Sequence, residues 1–373
     1  MAAARAGGAG VRVLIACPSY PPQAVTCGVG DYTRCLAEEL ARQGEQVTVV
    51  ASAAWRGPAR GGVAVLPILD DAAPWWRVVA ADVVNLQYAP DLYRHRRRAL
   101  RATFSTPAVV TVHTLLDATL GSRAAALWLL TSARHVVAAN EEVTAMVRRR
   151  LRWLARRLTE IPIGSNIAVA AGGDPLATRA ALGVPARAPL LAHFGLVYPG
   201  KGMETLLEAL AMLRRARPEA CLVVIGDTRE SERAYRAGLE ALALRLGVAA
   251  AVTWTGRRTD EDVSRILAAA DVFVAPFDGG ASIRRGSLMA GLAHGLPVVS
   301  TSPAAPSAYL RDADNVALVP PRDAAALAAR LVALLASSAE RARLAQGARK
   351  LAARVAWPAI AEETRAVYRR VLV

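Results

Sequence analysis

The sequence predicts an α/β protein made of two doubly wound, parallel-sheet domains. Three observations carry that reading. Short apolar, β-branched runs alternate with Ala-, Leu- and Arg-rich segments along the whole chain, the pattern of parallel strands covered by helices on both faces. The runs are continuously apolar, as strands buried on both sides are. The chain has 373 residues, more than one core ordinarily serves, so two domains are expected.

In chain order, the strands expected in the first half are RVLIAC, QVTVVAS, VAVLPI, VVNLQY, AVVTVH, HVVAAN and TEIPIG. Those of the second half are PLLAHFG, CLVVIGD, AVTWTG, DVFVAPF, PVVST and VALVP. Between the halves lies NIAVAAGGDPLATRAALGVPARAP, whose Gly, Ala and Pro content suits a linker near residues 165–188. A first domain over 1–168 and a second over 185–356 follow. The closing WPAIAEETRAVYRRVLV reads as a helix over 357–373, with Pro358 in its first turn where proline is allowed. Ligands of such sheets bind at the carboxyl ends of the strands, so the strand-end loops facing the expected cleft are where function is sought.

Composition narrows the function classes. The first apolar run, Val11 to Cys17, is too short for a signal peptide and leads into Pro18, so residues before it read as a disordered tip and the protein as cytoplasmic. The four cysteines are scattered without a C-x-x-C, which speaks against a zinc site or a disulfide framework. The net charge is +15, and only two of the 46 basic residues are lysine. A field of that sign favours anionic partners such as nucleotide sugars, acidic lipids or nucleic acid. Aromatic residues make up only 5% and form no base-stacking cluster, so nucleic acid is not an expected partner. The run RRRLRWLARR (148–157) interleaves Leu151, Trp153 and Leu154, with Leu158 following, at near-helical spacing. Such a segment either lies on an anionic membrane, making the protein peripheral to the inner membrane face through 148–158, or is the solvated face of a packed helix.

The strand ends carry the candidate residues. After the first strand, Gly28-Val29-Gly30 precedes a helix opening near Asp31 and Tyr32, a place where a diphosphate can approach the backbone. Thr33 stands where a dinucleotide fingerprint needs its third glycine, and the second strand ends without a carboxylate, so NAD is not indicated. Gln87 and Tyr88 end the fourth strand, where they could bond a hydroxylated ligand or simply pack. His113 ends the fifth, as a catalytic or a structural residue. In the second half Lys201 lies between Gly200 and Gly202 just before an amphipathic helix. In a chain that uses arginine almost everywhere, a compact ammonium there points to phosphate. The stretch FDGGASIRRGSLMAGLAHGLPVVST then sets Arg284 and Arg285 at an expected helix start, where the macrodipole is already positive and an anion is wanted. The D-x-D patterns in TDEDV and RDADN read as a helix start and a surface turn, and no metal is expected.

Taken together, PPQAVTCGVGDYT, TVHT, IPIGSN, FGLVYPGKGMETLLEAL, AADVFVAPF, GLAHGLPVVST and the closing W-P helix make the chain similar to the family 4 glycosyltransferases over nearly its whole length. The resemblance implies the GT-B fold of two Rossmann-like domains facing a cleft, and retaining, metal-independent transfer of a sugar from a nucleoside diphosphate to a hydroxyl acceptor. It implies a donor held by the second domain with Lys201 on its diphosphate, and the first-domain loop of Gly28 and Gly30 approaching that donor. It implies His113 against the transferring sugar, and an acceptor held mostly by the first domain, where Asp31, Tyr32, Gln87 and Tyr88 are the expected contacts. It also implies that the closing helix returns to the first domain. The chain departs from the family pattern where an arginine usually follows F-G, which here is Leu196. Its two usual glutamates, with seven residues between them, fall on Ser282 and Ala290. Arg284 and Arg285 are then expected to supply the missing cation, and Asp278 and Ser282 part of the hydroxyl recognition. A non-catalytic sugar-nucleotide binder, a GT-B sugar-nucleotide epimerase and a phosphorylase are the alternatives.

Overall fold

The computed structural model describes residues 10–22, 27–58, 60–71, 74–93, 101–103, 107–115 and 120–373; the tip expected to be disordered lies outside them. The chain divides into two compact units, one of Met1–Gly164 with Val355–Val373 and the other of Ser165–Arg354. Each of the thirteen expected strands forms.

In the first unit they are β1 (Arg12–Ala16), β2 (Gln46–Val50), β3 (Ala64–Leu66), β4 (Val83–Tyr88), β5 (Ala108–Val112), β6 (His135–Ala138) and β7 (Leu158–Glu160). They form one sheet in the order β3-β2-β1-β4-β5-β6-β7, with every pair parallel. In the second unit they are β8 (Leu190–Phe194), β9 (Cys221–Ile225), β10 (Val252–Gly256), β11 (Val272–Ala275), β12 (Val298–Thr301) and β13 (Ala317–Val319). Their order is β10-β9-β8-β11-β12-β13, again parallel throughout. In each sheet the order reverses beside the first strand, between β1 and β4 and between β8 and β11. That reversal opens a crevice at the carboxyl ends, the place where doubly wound sheets take ligands.

Two helices show how sequence becomes packing. Helix Met203–Ala216 buries Met203, Leu206, Leu207, Leu210 and Leu213, the three-and-four spacing of one helical face, against Leu191, Leu222 and Val274 of the sheet. Helix Trp357–Leu372 starts with Pro358 in its first turn and buries Ile360, Ala361, Thr364, Val367, Tyr368 and Val371. Those residues join Val13, Ile15, Leu36 and Val109 in the core of the first unit.

Two expectations are corrected. Residues 165–188 are not a loose linker. Asp174 caps helix Pro175–Ala181 through the N–H of Leu176, a cap of the usual acidic kind. Arg179 is buried and donates to the carbonyls of Ala269 and Ala188 and to Asp271 at 2.7–2.9 Å. Upstream, the N–H of Ala170 donates to Ser264 Oγ at 2.8 Å. The segment therefore belongs to the second unit. The basic run is not one amphipathic helix either. Helix Glu141–Arg150 stops at Arg150 and a 3-10 turn, Arg152–Arg157, follows. Leu154 is buried, whereas Trp153 is 63% exposed and Arg148, Arg149, Arg150, Arg152 and Arg156 are exposed around it in sequence.

Candidate functional site

The carboxyl ends of β1, β4 and β5 bring together a first group of expected residues. Helix Gly28–Arg42 begins directly at Gly28, after extended Cys27, which makes no side-chain cap. Gly28 is exposed, and a Cβ added there would meet none of the described residues within 4 Å, which leaves space among them at the helix start. Gly30 has a different job: its added Cβ would lie 1.9 Å from the carbonyl oxygen of Ser19. It lets the helix close on the loop after β1. Asp31, half-buried, sits in the first turn, where a carboxylate complements the helix dipole.

His113 follows β5 and is held on several sides. Its Nε2 lies 2.9 Å from Gln87 Oε1, and its carbonyl accepts from Asn140 Nδ2 at 2.9 Å. The Tyr32 ring meets the imidazole edge-on, with centroids 4.8 Å apart, and Trp357 meets Tyr32 at 5.3 Å. Burial pulls the imidazole pKa down to about 3, because a low-dielectric setting disfavours the charged form. His113 is therefore neutral near pH 7 and can accept or donate one hydrogen bond without acting as an imidazolium.

Three expected acceptor contacts are placed inside instead. Gln87 is fully buried, with its amide nitrogen on Asn85 Oδ1 at 3.1 Å and its oxygen on His113. Tyr88 stacks on Tyr93 at 5.9 Å within the core. Tyr32 is 3% exposed and packs between His113 and Trp357. All three are spent on the interior, because β4 is buried on both faces and the helix at Tyr32 lies against the sheet. Of the four, Asp31 alone keeps partial exposure.

The second group surrounds Lys201 at the carboxyl ends of β8 and β11. Gly202, at φ +71, precedes helix Met203–Ala216, and an added Cβ would lie 1.7 Å from the carbonyl of Pro276. Glycine is thus required twice over, for the left-handed backbone and for the close approach. This draws Lys201 inward to 7% exposure. Its ammonium lies 3.5 Å from Ser287 Oγ, and a Cβ on Gly195 would come 3.3 Å from the ammonium and from Ser287 Cβ alike. The rings of Tyr198 and Phe277 flank it at 5.2 and 5.3 Å, and the Arg285 guanidinium lies over Phe277 at 4.7 Å. Burial first, and the charge of Arg285 second, lower the Lys201 pKa to about 7. Burial and a neighbouring guanidinium both disfavour the charged form of Lys201, and an anion bound beside it would relieve both effects.

The arginine loop is built, not slack. Thr301 Oγ1 donates to the Phe277 carbonyl at 2.7 Å, and the N–H of Ala281 donates to Thr301 O, tying the loop to the end of β12. Ser282 is buried; its Oγ accepts from the N–H of Arg284 at 3.4 Å and its carbonyl from the N–H of Arg285 at 3.0 Å. So Ser282 forms the turn that sets both arginines and is not open for hydroxyl recognition. Helix Gly286–Ala293 begins after Arg285, which is its N-cap. The two cations therefore precede the helix instead of lying in its first turn, as the sequence had suggested. Ala290 is fully buried in that helix. Asp278 lies 4.0 Å from the Arg322 guanidinium, and Arg322 holds φ +59. Gly195, Ser287 and Phe277 were missed in the sequence, where a glycine, a serine and an apolar residue carry no charge signal.

The acidic patterns are used locally. Thr259 caps helix Asp260–Ala268 through the N–H of Asp262, and Asp312 Oδ1 accepts from the N–H groups of Ala313 and Leu318.

Two parallel-sheet Rossmann-like units are the architecture of the GT-B fold, and comparison with known proteins adds the class of enzyme. Residues 188–337 match the family model described as glycosyl transferases group 1. The chain is 28% identical to a phosphatidyl-myo-inositol mannosyltransferase of Mycobacterium leprae over 97% of both proteins. It has the fold of a glycosyltransferase from Rickettsia africae, with a TM-score of 0.78 at 15% identity over 97% of this chain and 99% of that one. It also has the fold of Anabaena HepE in complex with UDP and glucose, with a TM-score of 0.76 at 20% identity over 96% and 100%. The chain is a glycosyltransferase of the GT-B fold. Among the described residues no helix is long and apolar enough to cross a membrane.

Proposed function

We propose that the protein transfers a hexosyl group from a nucleoside diphosphate sugar to a hydroxyl acceptor, with retention and without a metal ion. The single observation that carries this is the buried Lys201, with Arg285, Ser287 and Gly195 around it, at the switch point of the second sheet. The bond from the anomeric carbon to the diphosphate oxygen breaks and a bond to the acceptor oxygen forms. Negative charge grows on the leaving diphosphate, where Lys201, Arg284 and Arg285 neutralise it, and the acceptor proton passes to that same oxygen. Cations placed in advance where charge develops are worth most in a site that excludes water. In this reading His113 lies against the transferring sugar. The mannosyltransferase named above acts on a phosphatidyl-inositol, so a phosphorylated or lipid-linked polyol is the first acceptor class to try.

A thermal-shift panel of nucleoside diphosphates and their sugars tests the donor site. A ligand at 100 times its Kd stabilises by about 2.7 kcal/mol. One base is expected to stabilise the wild type and not the Arg284→Ala/Arg285→Ala variant; no stabilisation by any diphosphate would refute the reading. Incubation with the matching donor and acceptor, followed by NMR of the product's anomeric centre, tests retention.

The exposed Trp153, with Arg148, Arg149 and Arg150 nearby in sequence, supports peripheral contact with anionic membranes. Co-sedimentation with anionic vesicles is expected to fall when these three arginines become Ser, and unchanged binding would remove that part of the proposal.

A further inference from the structure

A chain of buried polar side chains runs from the C-terminal helix to His113. Asn85 and Gln87 alternate on one face of β4, Thr111 pairs with Gln87 across to β5, and His113 lies two residues beyond Thr111 on that face. Asn85, Gln87, Thr111 and Tyr368 are each no more than 1% exposed. Asn85 Nδ2 donates to Tyr368 Oη at 2.7 Å. Asn85 Oδ1 accepts from Thr111 Oγ1 at 2.9 Å and from Gln87 Nε2 at 3.1 Å. The Gln87 amide nitrogen being committed to Asn85, the atom it turns toward His113 Nε2 at 2.9 Å is its carbonyl oxygen. A carbonyl only accepts, so Nε2 must carry the ring proton.

We propose that Tyr368, Asn85 and Gln87 are positioning residues that hold His113 as the Nε2–H tautomer, leaving the Nδ1 lone pair to accept a hydrogen bond from a substrate hydroxyl. The relay anchors in helix Trp357–Leu372, and the same helix fixes the other side of the imidazole through Trp357 and Tyr32. The last helix of the chain thus sets both the orientation and the hydrogen-bonding polarity of a side chain that follows β5. No sequence motif links Tyr368 to His113, since they are 255 positions apart. A polar chain of this kind persists in a core only when every member is satisfied. In the orientation the structure gives them, Asn85 and Gln87 each meet their partners, and that orientation is what assigns the ring proton to Nε2.

The proposal rests on the reading of His113 as a residue against the transferring sugar, and the test separates the two. The full chain is labelled with 15N-histidine, and the His113 signals are assigned by comparison with His113→Gln. Long-range 15N–1H spectra then report which ring nitrogen bears the proton, with no substrate present. The wild type is expected to show one species, Nε2–H. Tyr368→Phe removes the acceptor for Asn85, and Gln87→Met removes the contact itself; each is expected to give a tautomer mixture. In turnover assays each is expected to lower kcat about tenfold, the worth of one hydrogen bond, with the donor KM within about twofold. A wild-type Nδ1–H species, or a tautomer unmoved in both variants, overturns the relay whatever the kinetics. A shifted tautomer with unchanged kcat overturns the link to catalysis, and with it the role given to His113. Circular dichroism and melting of each variant exclude loss of fold as the cause.

Discussion

At the scale of single residues, the site is governed by what burial does to charge. Lys201 folds into a setting that favours its neutral form, with a pKa near 7 instead of 10.5. The unfolded chain therefore holds this proton more tightly than the folded one. The resulting penalty on stability is fully present below pH 7 and disappears as pH rises to 10.5. Binding a diphosphate reverses the preference, so between pH 7 and the raised pKa of the complex a proton is taken up with the ligand. Calorimetry at pH 8 in buffers of differing ionisation enthalpy is expected to show uptake approaching one proton. Affinity is then expected to fall with rising pH, by up to about tenfold per unit. The two loop glycines separate by the same kind of reasoning. Gly30→Ala meets the Ser19 carbonyl at 1.9 Å and is expected to lower the melting temperature. Gly28→Ala meets none of the described residues, so it is expected to leave melting unchanged and to weaken only donor-dependent activity.

At the scale of elements, the segment 165–188 shows how a composition signal is outvoted. Its glycines and prolines do suit a linker, yet one arginine places it. Arg179 satisfies two carbonyls and a carboxylate from inside the second unit, and no hydrophobic pattern announces that. Arg179→Ala is expected to destabilise this unit by about 1–3 kcal/mol, the cost of leaving buried carbonyl acceptors unpaired. That corresponds to roughly 2–12 °C in the transition of a unit this size, measurable by calorimetry. The closing helix is the opposite case: its proline start was readable directly, and its return to the first unit, which the resemblance implied, is made by the buried face from Ile360 to Val371. The basic run lies between them. Its charges were legible, but the break after Arg150 was not, because Leu151 and Leu154 fit a helical period as well as they fit a turn.

At the scale of the whole molecule, two separate cores divide the work. The first unit is closed by residues from the chain's last helix, so its core includes Ile360, Val367, Tyr368 and Val371. A chain ending at Arg354 is expected to lose the thermal transition of the first unit while the second keeps a transition that nucleoside diphosphates still raise. Retention of both transitions would show that the helix is dispensable to that core. The net charge of +15 acts at this scale too, favouring anionic ligands in general and selecting none of them.

The sequence by itself determined the strands, their parallel pairing into two doubly wound sheets, and the glycine, lysine and arginine positions at the strand ends. Those follow from local causes: the period of apolar residues, the backbone needs of tight turns, and charge where a helix begins. Only the tertiary structure decided which polar residues at the strand ends stay exposed and which face the interior. Gln87, Tyr88 and Tyr32 sit at positions that look like a binding edge, yet they are buried: Gln87 and Tyr32 on the side where the helix from Trp357 packs, and Tyr88 on the opposite face of β4 with Tyr93. Ser282 turned out to shape the arginine loop, and Ser287 joined Lys201 from 86 positions away in the chain, beside Gly195 of the same loop as the lysine. Burial depends on which surfaces meet across the fold, and that is not encoded near the residue it buries.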